Sequence, residues 1–347
     1  MRNGLPARPE KVLKAPITIT SSNGITIDYD DRKISLDPDR AGKSDYTFIS
    51  HAHIDHMKGV GSTGNILATK ETALLAARRG VTINLAEQTP DDLKMIESGH
   101  ILGSRGLLIG DDVYYTGDFA LKSRSFMRGC RPVKCGTLIM ESTFGKRNYV
   151  FPPVEETMRR VNELIADLFS RGIPVVLMGY TLGKAQILSD LFSSWDPIYL
   201  HKSIFEINQA YIDLGIKLRS DLQSFDETAE KGQLGRKPWI LIAPMNGGSR
   251  QIMAGLKQKY GAVSVAFSGW SVEPRYKYMR GVDHAFTLSD HCDFNDLVEM
   301  VRQCDPHKIY TVHGFADEFA AHLRTLGYNA RPLKSNQTFL SEYPSAD

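Results

Sequence analysis

The stretch "FISHAHIDHMKG", residues Phe48 to Gly59, decides how the rest of the chain is read. Its hexapeptide His51–His56 holds three of the ten histidines in a chain of 347 residues, together with Asp55. The cluster is internal, so a purification tag is a poor account of it, and an apolar run, Tyr46-Thr47-Phe48-Ile49, leads directly into it. That run has the β-branched and aromatic content of a buried strand. Alternate side chains of an extended chain share a face, so His51 and His53 are expected to leave the strand end pointing the same way. Asp55 and His56 follow where Gly59 and Gly61 turn the chain. Imidazole and carboxylate ligands fanned around a strand end suit a zinc-type ion.

Working outward, the composition is that of a soluble globular protein, 42% hydrophobic and 24% charged. The length favours two domains. The N-terminal segment "MRNGLPARPEKVLKAP" has no apolar core of a secretory signal, and the longest apolar run, Ile173 to Met178, is too short to cross a bilayer. A cytoplasmic location and no membrane partner are expected. Cys130, Cys135, Cys292 and Cys304 contain no C-x-x-C pair, so reduced thiols are expected, and Cys130 with Cys135 lacks the second pair a structural zinc needs. The formal charge of +2 does not announce a nucleic-acid binder, so any polyanion site must be a local patch.

The first 145 residues are rich in short apolar runs separated by Gly, Asn and Asp, among them "ITIT", "ITIDY", "KISLD", "NILAT", "TINLA", "GLLIG", "DVYYTGD" and "TLIMES". From residue 150 strands and helices alternate. Val154, Met158, Val161, Leu164, Ile165, Leu168 and Phe169 mark one helix face, Gly172 stops that helix, and "IPVVLMGY" follows as a buried parallel strand. Further helices are expected around 183–194, 204–215 and 249–260, alternating with "PIYLH", "WILIAPM" and "AVSVAFSG". The segment "SDLQSFDETAEKGQLGRK" reads as a structureless excursion. Beyond about residue 282 come "AFTLS" with a helix at 293–305 and "KIYTVHG" with a helix at 316–327. "GYTLGKAQ", Gly179 to Gln186, imitates a phosphate loop, but its glycines stand too close and Ala185 replaces the required Ser or Thr. Gly183-Lys184 at a helix start could still hold a phosphate, which makes Lys184 a candidate substrate contact.

One hexapeptide cannot complete two metal shells. His100 in "ESGHILGS", Asp118 at the end of "DVYYTGD" and His313 at the end of "KIYTVHG" all stand at strand ends or just beyond, where α/β folds gather ligands. "HAHIDH" matches the HxHxDH motif of the metallo-β-lactamase superfamily, and Asp37, the hexapeptide, His100, Asp118 and His313 follow that superfamily's order of motifs. "MESTFGKRNY" with Glu141, "LSDHCDF" with His291 and "YTVHGF" with His313 resemble the three additional motifs of the β-CASP nucleases. "YTLGKAQIL", "DPIYLHKSIFEINQAYIDLGIKL" and "VAFSGW" further resemble the DNA ligase-associated exonucleases, and the similarity runs from about Gly24 to Leu333.

The resemblance implies an α/β fold: a metallo-β-lactamase αββα sandwich from residues 1–149 and 283–347, with a β-CASP domain inserted at 150–282. It implies two divalent ions, zinc before manganese or magnesium. One would take His51, His53 and His100, and the other Asp55, His56 and His313. Asp118 would bridge them, and Asp37 would orient the hexapeptide. Two ions roughly 3.5–4 Å apart suit in-line attack on a phosphodiester. His291 is the candidate acid for the departing oxygen, kept protonated by Glu141.

Basic residues at 121–134, and Arg275, Lys277 and Arg280 interleaved with Tyr276 and Tyr278, are candidate contacts for phosphates and bases. The expected partner is DNA, single-stranded or with a free end, in a repair role; RNA is the alternative. DNA enzymes of the Artemis type usually carry valine where His313 stands, which favours RNA, whereas the ligase-associated resemblance favours DNA. A lactam or thioester hydrolase of the same fold, or a metal-free binding module, remain as further alternatives. Glu141 and His291 speak against the first, and the filled ligand positions against the second.

Overall fold

A computed structural model of the chain describes residues 17–61, 63–234, 238–245, 249–334 and 337–341. The segment read above for a secretory signal, residues 1–16, lies outside them. Among the described residues, three six-stranded sheets organise the fold. The first sheet runs, edge to edge, Gln337–Ser341, Ile17–Ser21, Ile25–Tyr29, Arg32–Leu36, Lys43–Phe48 and Thr63–Leu67. The second runs Ala330–Pro332, Lys308–Val312, Thr137–Glu141, Val113–Tyr115, Arg105–Ile109 and Leu93–Glu97. Both therefore combine strands from the two ends of the sequence.

Alternation in the first strands explains why these two sheets face each other. Ile17, Ile19, Ile25 and Ile27 are buried while the residues between them are only partly covered. Their buried side chains mix with Leu107, Ile109, Val113, Tyr115, Ile139 and Tyr310 of the second sheet in one core. Outside the first sheet, the helix Lys70–Ala77 packs with Ile49, Ile66 and Ile83. Outside the second, the helices Phe294–Cys304 and Ala316–Thr325 bury Leu297, Met300, Val301, Phe319 and Leu323. The order of layers is helix, sheet, sheet, helix.

The third sheet is parallel throughout, in the order Gln223–Ser224, Ile198–Leu200, Ile240–Pro244, Val175–Gly179, Val263–Phe267 and His284–Phe286. Its central strands are buried on both faces, which is why "VVLMG" and "ILIAP" lack polar alternation. The helices Val154–Ser170 and Lys184–Leu191 bury their apolar residues in the core on one face. Met253 and Leu256 of the helix Ser249–Tyr260 fill the core on the other. Glu155 and Glu156 suit the first turn of Val154–Ser170, whose N-terminus carries partial positive charge.

Three expectations need correction. Thr82–Ala86 forms no strand; Leu85 makes only an isolated bridge to Ile66. The segment 220–237 is not structureless, because it carries the short strand Gln223–Ser224 and the helix Phe225–Glu230, although residues 235–237 lie outside the described ones. The strand His284–Phe286 pairs with Val265–Phe267 in the third sheet, past the boundary expected at 283. All four cysteines are buried and unbridged. Among the described residues, no helix is long and apolar enough to cross a membrane.

Candidate metal centre

The site lies at one end of the sandwich, beneath the third sheet. His51 to His56 follow the strand Lys43–Phe48, His100 follows Leu93–Glu97, Asp118 follows Val113–Tyr115, and His313 follows Lys308–Val312. Each ligand-type side chain thus leaves a rigid strand within a few residues. His313 takes a left-handed conformation, φ 58°, before Gly314 at φ 53°. A Cβ on Gly314 would stand 2.4 Å from Thr143 Cα, so only glycine lets the chain turn there.

Four imidazoles each tie one ring nitrogen to a fixed acceptor and turn the other inward. His100 Nδ1 donates to the Asp290 carbonyl at 2.9 Å, and His53 Nε2 donates to the Leu182 carbonyl at 3.2 Å. His56 Nδ1 donates to Asp37 Oδ2 at 2.8 Å. Ser50 Oγ gives its proton to Asp37 and so accepts from His51 Nδ1 at 2.9 Å. These partners select the tautomers. They leave His51 Nε2, His53 Nδ1 and His100 Nε2 as bare lone pairs, with His53 Nδ1 3.0 Å from the first and 3.2 Å from the last.

Lone pairs this close repel unless a cation lies between them. Ligand nitrogens about 2.0–2.1 Å from a tetrahedral zinc stand about 3.3 Å apart, which these separations match. Burial, reinforced by neighbouring imidazoles, pushes His51 and His100 well below the usual histidine range, and burial also lowers His53. All three are therefore held in the neutral form that binds metal.

Asp118 Oδ2 joins this set to a second one. It stands 3.6 Å from His51 Nε2, 3.7 Å from His100 Nε2 and 3.4 Å from His56 Nε2. His56 Nε2 in turn lies 3.8 Å from Asp55 Oδ2, and the His313 ring centroid lies 5.6 Å from that of His56. Burial opposes charge on both Asp118 and His56. The neighbouring imidazoles nonetheless hold Asp118 well below the usual carboxylate range, and Asp118 with Asp37 raises His56. A cation between Asp118 and His56 Nε2 would take the place of that proton. The first set is tight and buried apart from a partly exposed His53, while the second is open, with Asp55 and His313 exposed.

Asp37 is saturated by positioning contacts and offers no free ligand atom to the cluster. It accepts from Ser50 N at 2.7 Å, Ser50 Oγ at 2.5 Å, His56 Nδ1 at 2.8 Å and Tyr115 Oη at 2.9 Å. Asp37→Ala orphans these buried donors and releases the orientation of His51 and His56. Metal affinity should fall by about 10–100-fold, as is typical for such supporting residues. Titration against a chromophoric chelator measures this, and wild-type affinity in the variant would show that the hexapeptide orients itself.

Glu141 and His291 form a second pair in the same cleft. Glu141 is buried at the end of its strand, and its Oε1 accepts from Phe119 N at 3.0 Å and pairs with His291 Nδ1 at 2.8 Å. His291 Nε2 faces Asp118 Oδ2 at 4.0 Å. Burial disfavours a charged His291, but Glu141 and Asp118 outweigh it and raise its pKa to about 9. The cleft, about 530 Å³, is lined by His53, Asp55, His56, Asp118, His291 and His313, with Arg79, Tyr180, Leu182 and Trp270 among its other walls.

The two candidate substrate contacts fare differently from the ligands. Lys184 is not available to a phosphate: it is buried, and its Nζ donates to the Leu288 carbonyl at 2.9 Å and to Asp290 Oδ1 at 3.0 Å. The backbone N–H of Gly183 is likewise taken, by Gln186 Oε1 at 2.7 Å. Lys184 therefore braces Asp290, whose carbonyl fixes His100. Lys184→Ala leaves the Asp290 carboxylate buried and unpaired and should lower stability by about 3–5 kcal/mol. Denaturant unfolding reads this directly, and an unchanged midpoint would return Lys184 to the substrate. Arg275 is exposed at the start of the helix Tyr276–Arg280 and does not line the cleft.

Sequence reasoning passed over Asp290, Ser50 and Tyr115. All three lie inside stretches quoted above, Asp290 beside His291, Ser50 beside His51 and Tyr115 three residues before Asp118, so nearness to a candidate site residue was an available signal. Two facing sheets flanked by helices, with this histidine cluster at their edge, constitute the metallo-β-lactamase arrangement.

Comparison with known proteins agrees. A family profile described as the Zn-dependent metallo-hydrolase RNA specificity domain matches residues 281–331. A protein of Opitutus terrae named "Probable DNA ligase" is 33% identical over 303 residues, covering 82% of this chain and 28% of that protein. "Transcription termination factor FttA" of Methanocaldococcus jannaschii is 30% identical over 151 residues, 38% of this chain and 23% of FttA. "Cleavage and polyadenylation specificity factor subunit 3" of Dictyostelium discoideum is 25% identical over 282 residues, 64% of this chain and 35% of that subunit. The chain thus spans about a quarter to a third of the length of these relatives. A crystal structure of a protein of unknown function from Enterococcus faecalis shares the fold, with a TM-score of 0.62 at 14% identity over 94% of this chain and all (100%) of that one. The chain belongs to the β-CASP family of the metallo-β-lactamase superfamily.

Proposed function

We propose that the protein is a two-metal nuclease that hydrolyses phosphodiester bonds in DNA from a free end, in a repair setting inside the cell. The observation that carries this reading is the pairing of two chemistries in one cleft. Inward-turned imidazole nitrogens converge beside Asp118, and His291, paired with Glu141 through Nδ1, faces the same carboxylate with Nε2. His51, His53, His100 and Asp118 would hold one zinc ion, and Asp55, His56, His313 and Asp118 the other. When bound, such ions supply hydroxide near neutral pH and hold phosphoryl oxygens. The chain's own residues do the rest. Asp37 fixes the hexapeptide, Glu141 keeps His291 charged, and His291 Nε2 gives its proton to the departing oxygen. The proposed division is a sandwich from both ends of the chain and an inserted β-CASP unit from about residue 150, with the downstream boundary moved beyond Phe286.

DNA is favoured because similarity to a protein named as a DNA ligase extends over 82% of this chain. A nuclease that trims ends would prepare joints for a ligase. The second reading, an RNA-processing nuclease, is favoured by the RNA specificity profile at residues 281–331. One assay separates them: zinc- or manganese-loaded protein with end-labelled single- and double-stranded DNA and RNA of the same sequence. The expected result is DNA shortened progressively from one end. RNA cut faster than DNA would make the second reading the better one.

A further inference from the structure

Several cations that the sequence offered to a polyanion are already engaged within the fold. Lys122 Nζ lies 2.9 Å from Asp296, Lys134 Nζ 3.2 Å from Asp305, and buried Arg124 donates to the carbonyls of Gly99 and His100. Arg79 is different. It follows the helix Lys70–Ala77 and lines the metal cleft with His53, Asp55, His56 and Tyr180. Its Nε is buried without a hydrogen-bond partner, although the side chain as a whole is only half-buried, and among the described residues no carboxylate forms an ion pair with it. Asp55 is near enough to act on its charge, but the two do not pair.

A buried Nε left without a partner is costly, and folds usually supply a neighbouring carboxylate or carbonyl to avoid it. Here the unfilled donor belongs to a half-buried side chain that borders the metal cleft. The planar fork of arginine matches two phosphoryl oxygens at once, and partial desolvation strengthens such a contact. We propose that Arg79 is a substrate-binding residue, anchoring an internucleotide phosphate that flanks the bond to be cut. The inference rests on the nuclease reading and deepens it: Arg79 would grip the strand beside the reacting group and take no part in proton transfer.

The test uses binding and turnover together. In a His291→Ala background, where cleavage is suppressed, anisotropy measures the affinity of a labelled single-stranded oligonucleotide over a range of salt concentrations. Adding R79A should weaken binding by about 10–100-fold, the range for a hydrogen-bonded charged contact. The slope of log affinity against log salt should become shallower by about 0.7, one phosphate's share on a single strand. The loss should be the same with a 5′-phosphate or a 5′-hydroxyl. With His291 intact, R79A should slow oligonucleotide cleavage far more than hydrolysis of bis(p-nitrophenyl) phosphate, which has no flanking phosphate.

Equal affinity and slope with and without Arg79 would overturn the inference. So would a loss confined to the 5′-phosphorylated strand, or metal loss with both substrates slowed alike, which would place Arg79 in support of Asp55. Should R79A not fold, R79K keeps charge and bulk, and parental affinity in that variant would count against the bidentate contact. A wild-type protein that cuts no oligonucleotide with zinc or manganese would defeat the nuclease reading itself, while the binding arm would still report on Arg79.

Discussion

Cleavage of an ordinary phosphodiester should fall by about 10²–10⁴-fold in His291→Ala, the usual worth of general acid help, with metal content intact. A nitrophenyl diester should suffer much less, because its departing oxygen is stable as an anion and needs no proton. The geometry motivates both halves of this expectation. Glu141 occupies His291 Nδ1 at 2.8 Å, and Nε2 is directed to the cleft, 4.0 Å from Asp118 Oδ2. With a pKa raised to about 9, the imidazole carries its proton throughout the neutral range. Cations bound beside Asp118 would draw the value lower, so the proton-dependent rate should fall as pH rises through a His291 pKa below that of the metal-free site. Glu141→Gln removes the main support of the charge, so the alkaline limb should move to lower pH. His100, Asp290 and His291 could also hold an ion together. Metal loss in His291→Ala, or equal slowing of both substrates, would favour that ligand role or a scaffold role over the acid.

The second large effect is expected at Asp118. Its Oδ2 lies 3.4–3.7 Å from the inward nitrogens of His51, His56 and His100, which places one oxygen within reach of both proposed ligand sets. Asp118→Ala should lose at least one equivalent of metal and fall in affinity by more than the roughly 10–100-fold expected of a supporting residue. Phosphodiester cleavage should fall with it. Elemental analysis of the purified variant decides the matter, and unchanged stoichiometry with unchanged activity would rule out bridging.

The candidate ligand cluster was legible because three imidazoles at the end of one apolar strand have few bland explanations. The parallel sheet was legible for a similar reason: Val175–Gly179 and Ile240–Pro244 are continuous apolar runs, buried on both faces. What failed was non-local. "GKAQ" shows a lysine at a helix start but not Asp290, 106 residues downstream, which captures it. Thr82–Ala86 has the alternation of a strand yet finds only one bridging partner, so propensity without a neighbour did not become a ladder. The helix Phe225–Glu230 spans six residues, too few to display a helical period. Arg79 belongs to no motif, and its significance rests on what does not pair with it.

The most direct test of the account is metal reconstitution. Protein stripped by a chelator and returned stepwise to zinc or manganese is assayed for cleavage of an end-labelled oligonucleotide. Cleavage is expected to be absent without metal and to rise until it levels off near two equivalents per chain. Cleavage that survives the chelator, or none at any metal level while a lactam or thioester is hydrolysed, would contradict it.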